Sequence, residues 1–251
     1  MKTKHLIISI IVLIILIAAG AFYLYSPIPV KWYVKPASTT IQDKQINDST
    51  KPFVIKIVYP YIPGLDNFNK EILDAVNKEI SDFKTNSLAN DAAVKQTDPT
   101  DYEKYPRTYE LDIGYDKGEI DNNVVSVMLN VYNFEGGAHG ASYFVPINYN
   151  PNPPAGGKNE IKLADLFPNQ PNYLQKISDF CTADLTKQLT KALGSLDGTY
   201  LSDGAGPLAD NFQFFLINPS TSSGQATITF YFPQYQVAFG AAGDFKVIKP
   251  R

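Results

Sequence analysis

The sequence is poor in the residues that build metal centres and covalent staples. Its 251 residues hold one cysteine, Cys181, and two histidines, His5 and His139. A lone cysteine excludes an intrachain disulfide framework and any cysteine-built metal site, and two histidines are too few for a multi-histidine centre. Charge is scarce as well: 19% of residues are charged and the formal net charge is -3. The basic surplus that displaces counterions from a nucleic acid is missing, which excludes a nucleic-acid partner. Ser81 and Lys84 match the Ser-x-x-Lys spacing of penicillin-recognising enzymes, but no Lys-Thr-Gly follows anywhere, so the match is read as coincidence. What is plentiful is apolar: 44% hydrophobic and 13% aromatic residues, enough for a packed core and too much for a disordered chain.

The apolar residues are unevenly spread. From Leu6 to Tyr25 there is no charged residue. Twenty residues of helix rise about 30 Å, the thickness of a bilayer hydrocarbon core. Phe22, Tyr23 and Tyr25 close the run, where amphipathic rings favour the interface. Residues 1–25 are therefore expected to be a membrane anchor, making the chain a single-pass protein of the cell membrane. Lys2 and Lys4 hold the short end in the cytoplasm, so the C-terminal part is extracytoplasmic. Ala19-Gly20-Ala21 also fits a signal-peptidase site, and the alternative is secretion after cleavage near Ala21. With Lys2 and Lys4 set aside, the remainder carries 20 basic and 25 acidic side chains, a mildly acidic ectodomain.

Residues 26–52, with Pro27, Pro29, Pro36 and Pro52 among small polar residues, read as a tether. Phe53–Tyr59 is rich in β-branched and aromatic residues and reads as a strand. Leu65, Phe68, Ile72, Val76, Ile80 and Phe83 then form one stripe of an amphipathic helix. Polar residues 86–106 read as a long loop or an irregular strand region. Alternation at Tyr109–Tyr115 and at Val125–Val131 predicts two strands joined by a turn at Asp116-Lys117-Gly118, hence antiparallel. A second helix is predicted over Tyr173–Leu193, ended by Gly194, with Cys181 on its apolar stripe. Strands follow at Phe212–Ile217, Ala226–Phe232 and Phe245–Ile248. The fold class expected is α+β: antiparallel sheets, each with a packed amphipathic helix, in a first lobe over 53–150 and a second over 151–251.

Three motifs occur in order along the ectodomain: Tyr132-Asn133-Phe134-Glu135-Gly136-Gly137-Ala138-His139-Gly140, then Ile161–Phe167, then Phe230–Ala238 with Gly240-Ala241-Ala242-Gly243. Together they resemble the extracytoplasmic domain pair found in RsiV-type anti-sigma factors and ahead of the catalytic domain of PdaC-type peptidoglycan deacetylases. The sequence departs from that pattern at Pro233-Gln234 and at Phe239. The resemblance implies an α+β sensory or binding module without chemistry of its own, whose partner is lysozyme, as in RsiV-type members, or cell-wall glycan such as peptidoglycan. About five residues precede the apolar run, too few to hold a sigma factor. Neither a Thr-Phe-Asp-Asp-Gly run nor a second ectodomain histidine for zinc is present. The chain is therefore expected not to be an enzyme and to need no cofactor.

The candidate ligand-binding residues are Tyr132, Phe134, Glu135, Gly136, Gly137 and His139 in the first motif, and Tyr235 and Phe239 in the last. Glu135 and His139 are the only carboxylate–imidazole pair the motifs offer, so an envelope glycan or peptide hydrolase is the alternative function. The bland reading of the same loop is a tight turn, with glycine for positive φ and His139 bonded to backbone. A third reading is a structural envelope scaffold. Asp197, Asp203 and Asp210 form an acidic, glycine-rich loop without the spacing of a calcium site.

Overall fold

The computed structural model describes residues 40–104, 107–121, 123–194, 198–220 and 225–251. The predicted membrane anchor, the Ala21 cleavage site and residues 26–39 of the tether lie outside the described residues. Among the described residues no helix is long and apolar enough to cross a membrane. The described residues form one compact unit.

The unit is a mixed α+β fold with two sheets. The first has the order β1 (Gln42–Asp48), β2 (Phe53–Tyr61), β3 (Tyr109–Ile120), β4 (Val125–Phe134), β5 (Ala141–Tyr149). Its pairs are antiparallel except β2 with β3, where Phe53 lies opposite Tyr109 and Ile57 opposite Ile113 in parallel register. The expectation of purely antiparallel sheets is corrected here. Between those two strands runs helix α1 (Asp66–Thr97), followed by short α2 (Pro99–Lys104), and a strand–helix–strand crossover returns the chain in its starting direction.

Three further expectations change. The segment read as a tether contains β1, a mostly exposed edge strand whose pairing with β2 supplies its order. Polar residues after Phe83, read as a loop, continue α1 to Thr97. Only Ser87 of that stretch is fully buried, and it is polar, so the apolar stripe that betrays a helix ends at Phe83. The predicted turn at Asp116–Gly118 is instead strand: β3 runs on to Ile120 with an irregularity between Lys117 and Ile120, and reverses at Asp121.

Phe68, Ile72, Val76 and Phe83 of α1 pack on Ile55, Ile57, Leu111, Ile113, Val127 and Leu129, all essentially buried. The second sheet, β6 (Phe215–Asn218), β7 (Thr227–Phe232) and β8 (Phe245–Pro250), is antiparallel. Helix α3 (Tyr173–Leu193) lies over β8, burying Ile177, Cys181, Leu185 and Leu189 against Phe230, Phe232 and Val247. Gly194 caps α3 with φ +73°, as its position predicts. Burial pushes the Cys181 thiol up to about 12, the behaviour of a small core residue. Part of the predicted acidic loop is helical, α4 (Gly198–Gly204), and Phe212 ends a 3-10 turn (Ala209–Phe212) rather than opening a strand.

The second sheet meets the α1-free face of the first. Met128, Phe144, Leu216 and Tyr231 form a small apolar cluster there. A Cβ on Gly118 would lie 2.1 Å from the Ile217 carbonyl oxygen, so glycine permits this approach. Buried Ser126 donates to Asn148 Oδ1 (2.5 Å) and accepts from the Ile217 amide (2.8 Å). Asn148 Nδ2 donates to the Phe215 carbonyl (3.0 Å).

Candidate functional site

The first motif spans the end of β4 and the loop into β5. Its backbone is pinned from below. Asp91, near the end of α1, accepts from the hydroxyls of Tyr102 (2.8 Å) and Tyr109 (2.5 Å), and these bonds hold its carboxyl below the usual range, Tyr109 contributing most. Gly136, at φ +93°, rests on the fully buried Tyr109 ring, 2.8 Å from where its Cβ would stand. Arg107 donates to the Gly136 carbonyl (3.4 Å) and Asn90 to that of Glu135 (3.1 Å). Gly136 thus serves the close approach of backbone to ring.

Glu135 and His139 take different hydrogen-bond partners. The Glu135 carboxylate accepts from Asn133 Nδ2 at 3.0 Å. His139 is exposed, and its Nδ1 donates to the neighbouring Gly140 carbonyl at 2.9 Å. Gly137 is exposed and Phe134 half-buried. Tyr132 points to the other side, over Gly140, and lines a cleft of about 200 Å³ with Asn130, Ser142, Phe144, Asp244 and Lys246. The buried Asn130 Oδ1 has no hydrogen-bond donor there.

The closing motif leaves β7 and returns into β8. Its inward residues fix it tightly. Gln236 Nε2 donates to the carbonyls of Gly204 (2.8 Å) and Asn211 (2.9 Å), and Val237 and Ala238 are buried in the second core. Its outward residues are aromatic: Tyr235 is 58% exposed and Phe239 48%. Tyr235 has φ +70°, in the left-handed region that costs a non-glycine residue roughly 1–2 kcal/mol. Its ring lies across Gly240, the residue after Phe239, where a Cβ would stand 2.1 Å from the ring. An exposed aromatic ring is therefore held on a strained backbone, with a glycine opposite to make room. The cleft beside Tyr132 begins at Asp244, directly after this loop.

Sequence reasoning missed a second cavity. It has a volume of about 770 Å³, and Glu71, Glu160, Asp210, Tyr173 and Phe212 are among its lining residues. Glu71 lies on α1 and Glu160 beyond β5, and neither stands in a recognisable motif. The sole hint was polar residues flanking apolar ones at both places, which is true of most surfaces. Among the described residues no group of three or more His, Cys, Asp or Glu is arranged to hold a metal ion.

Comparison with known proteins agrees with this layout. Residues 46–142, which include most of the first sheet, match the model described as deacetylase PdaC. Residues 164–250, with α3 and the second sheet, match a protein family of unknown function, DUF3298. The peptidoglycan-N-acetylmuramic acid deacetylase PdaC of Bacillus subtilis (strain 168) is 27% identical over 199 residues, 79% of this chain and 37% of that protein. The chain thus spans little more than a third of the curated relative it matches. Two solved structures share 14% identity: a DUF3298 family member from Bacteroides fragilis (TM-score 0.47, covering 85% of this chain and 90% of that one) and a DUF3298 family protein from Pseudomonas aeruginosa PAO1 (TM-score 0.46, 86% and 91%). With both models matched in tandem, and in the order its three motifs resemble, the chain matches the domain pair of a PdaC domain followed by a DUF3298 domain.

Proposed function

We propose that this chain is a membrane-anchored, extracytoplasmic module that binds cell-wall glycan through its closing loop. The observation that carries this reading is Tyr235. A non-glycine residue at φ +70° is strained, and such strain persists where the surroundings fix it for a purpose. Here the result is a large ring fixed towards solvent beside exposed Phe239, on a loop tied down by Gln236. Rigid aromatics lose little conformational entropy on contact and offer an apolar face with a polar tip, which suits the faces of sugar rings. A curated relative is a deacetylase of peptidoglycan N-acetylmuramic acid, which supports the wall as the partner. The anchored location rests on the uncharged run Leu6–Tyr25. Binding is favoured over hydrolysis because Glu135 and His139 have separate partners.

The test is co-sedimentation of the full chain with insoluble peptidoglycan. Binding should survive moderate salt and fall about tenfold in Tyr235→Ala and in Phe239→Ala, the scale of an aromatic hot spot. Unchanged binding in both variants would overturn the reading. So would binding to lysozyme with none to glycan, which would make a secreted protein the partner.

A further inference from the structure

The cleft of about 200 Å³ opens at the end of the seam between the two sheets. Alternate residues of β4 face that seam. Ser126 and Met128 are fully buried in it, and Asn130 and Tyr132 come next along the strand. Asn130 lies opposite Phe144 of β5, and Tyr132 opposite Ser142. On its other side Asn130 lies opposite Gly114 of β3, where a Cβ would meet nothing within 4 Å. The second sheet supplies the facing wall through Lys246, with Asp244 at the mouth. Lys246 is held in place: its ammonium donates to Asp116 at 2.9 Å and stands 4.6 Å from the centre of the Tyr231 ring. Asp116 is in turn fixed by the Tyr231 hydroxyl (2.8 Å). At the floor of this cleft the Asn130 Oδ1 is buried and receives no hydrogen bond from the described residues.

A buried acceptor without a donor costs stability, so its persistence calls for an explanation. The surroundings of Asn130 narrow what would satisfy it. The entering group must donate to Oδ1. Beside it Lys246 has three N–H donors, of which Asp116 takes one, so an acceptor on the same group gains a charge-assisted bond. The Phe144 ring adds an apolar surface. A carboxylate cannot donate to Oδ1, an ammonium is repelled by Lys246, and a hydroxyl leaves the Phe144 surface unused. Asp244 is exposed at the mouth, where water and salt screen it. A methyl-bearing secondary amide meets all three demands. Pockets that enclose a whole ligand measure about 300–1,000 Å³, so this one takes a single substituent and leaves the ring that bears it outside. There Tyr132 waits, 37% exposed, its ring laid across Gly140, where a Cβ would stand 2.4 Å away. We propose that this cleft recognises the acetamido group of a wall sugar: the amide N–H donates to Asn130 Oδ1, the carbonyl accepts from Lys246, and the methyl group packs on Phe144. The choice of a sugar rests on the wall-binding reading above, while the fit to an amide stands without it.

The experiment titrates the full chain, in moderate salt, with tri-N-acetylchitotriose and with cellotriose, following binding by calorimetry. Cellotriose has the same β-linked backbone with hydroxyls in place of the acetamido groups, and both trimers are neutral. The acetylated trimer should bind about tenfold more tightly, the scale of one buried hydrogen bond gained. Asn130→Leu removes the acceptor at nearly constant volume. It should abolish the preference while leaving the melting temperature equal or higher, because an unpaired buried acceptor has gone. An Asn130 that served the fold alone would do the reverse, lowering the melting temperature and keeping the preference. Lys246→Met, which retains the stem, should also reduce the preference, and it carries the test if Asn130→Leu fails to fold. Equal binding of the two trimers, binding of neither, or a preference that survives both variants would overturn the proposal. N-acetyl-L-alanine methylamide binding as tightly as the acetylated trimer would overturn its assignment to a sugar. The wall-binding reading fails separately: it falls if peptidoglycan binding ignores Tyr235 and Phe239, whereas the cleft falls if the trimer preference ignores Asn130 and Lys246.

Discussion

Gly136 and His139 belong to one loop, and the structure gives them opposite weights. Gly136 takes φ +93° directly on the buried Tyr109 ring. Alanine there would meet backbone strain and a clash with a ring that cannot retreat. Gly136→Ala is expected to lower stability by about 2–4 kcal/mol. His139 is exposed and bonded only to its neighbour's carbonyl, so His139→Ala should stay within about 0.5 kcal/mol of the parent. Urea denaturation of the two variants checks the contrast, and a costly His139→Ala would mean that the loop is held by its imidazole. The loop's glycines were legible as turn residues in the sequence. What was not legible was the ring beneath Gly136, because Tyr109 lies on another strand and shows only as one more alternating aromatic.

At the scale of elements, strongly periodic segments were readable and weakly amphipathic ones were not. Tyr173–Leu193 shows its full apolar stripe and is a helix over that range. Edge strand β1 has almost no buried face, so the sequence pattern offers nothing to read; its partner decides its structure. Two of its acidic residues tie it in, and Asp43 accepts from the Tyr115 hydroxyl (2.5 Å). Asp48 accepts from the Thr50 amide (2.8 Å) and from Lys84 of α1 (3.0 Å), and these contacts, the Thr50 backbone bond first, lower its carboxyl to about 2. A folded-state value below the unfolded one gives stabilisation that is complete above the unfolded value of about 4 and is lost as pH falls towards 2. Thermal melts between pH 5 and 2 should therefore fall less steeply for Asp48→Asn than for the parent. Equal slopes would show that this turn carries none of the acid sensitivity. The candidate site was legible to a similar degree: the aromatics of the last motif could be named, but not the left-handed backbone of Tyr235 or the cavity that Glu71 and Glu160 both line, which depend on how distant segments meet.

For the whole molecule, the contact between the two sheets is more polar than either core. Ser126 is its centre: the hydroxyl satisfies both Asn148 and the Ile217 amide in a buried setting. Ser126→Ala would leave a buried amide and a buried carbonyl oxygen without partners, at a cost of about 2–4 kcal/mol. Because those partners lie in different sheets, both sheets should lose stability together. Far-UV circular dichroism and tyrosine emission should report one shared, lowered urea midpoint. Two separated transitions would show that the sheets unfold independently and that the polar seam does not couple them.

The parallel pairing of β2 with β3 also sets an order in time. Strands β3, β4 and β5 follow one another through short connections and can zip as soon as they meet, whereas β2 must wait for residues 62–108 to be spanned before it finds β3. A ribosome delivers these pieces in the reverse sense. Phe53–Tyr61, dense in β-forming side chains, emerges well before its partner exists. During that interval the neighbour already synthesised among the described strands is the polar strand β1, able to cover one edge. The strand that looks most like a spacer in the folded molecule is thus positioned to shield a sticky nascent chain until β3 arrives.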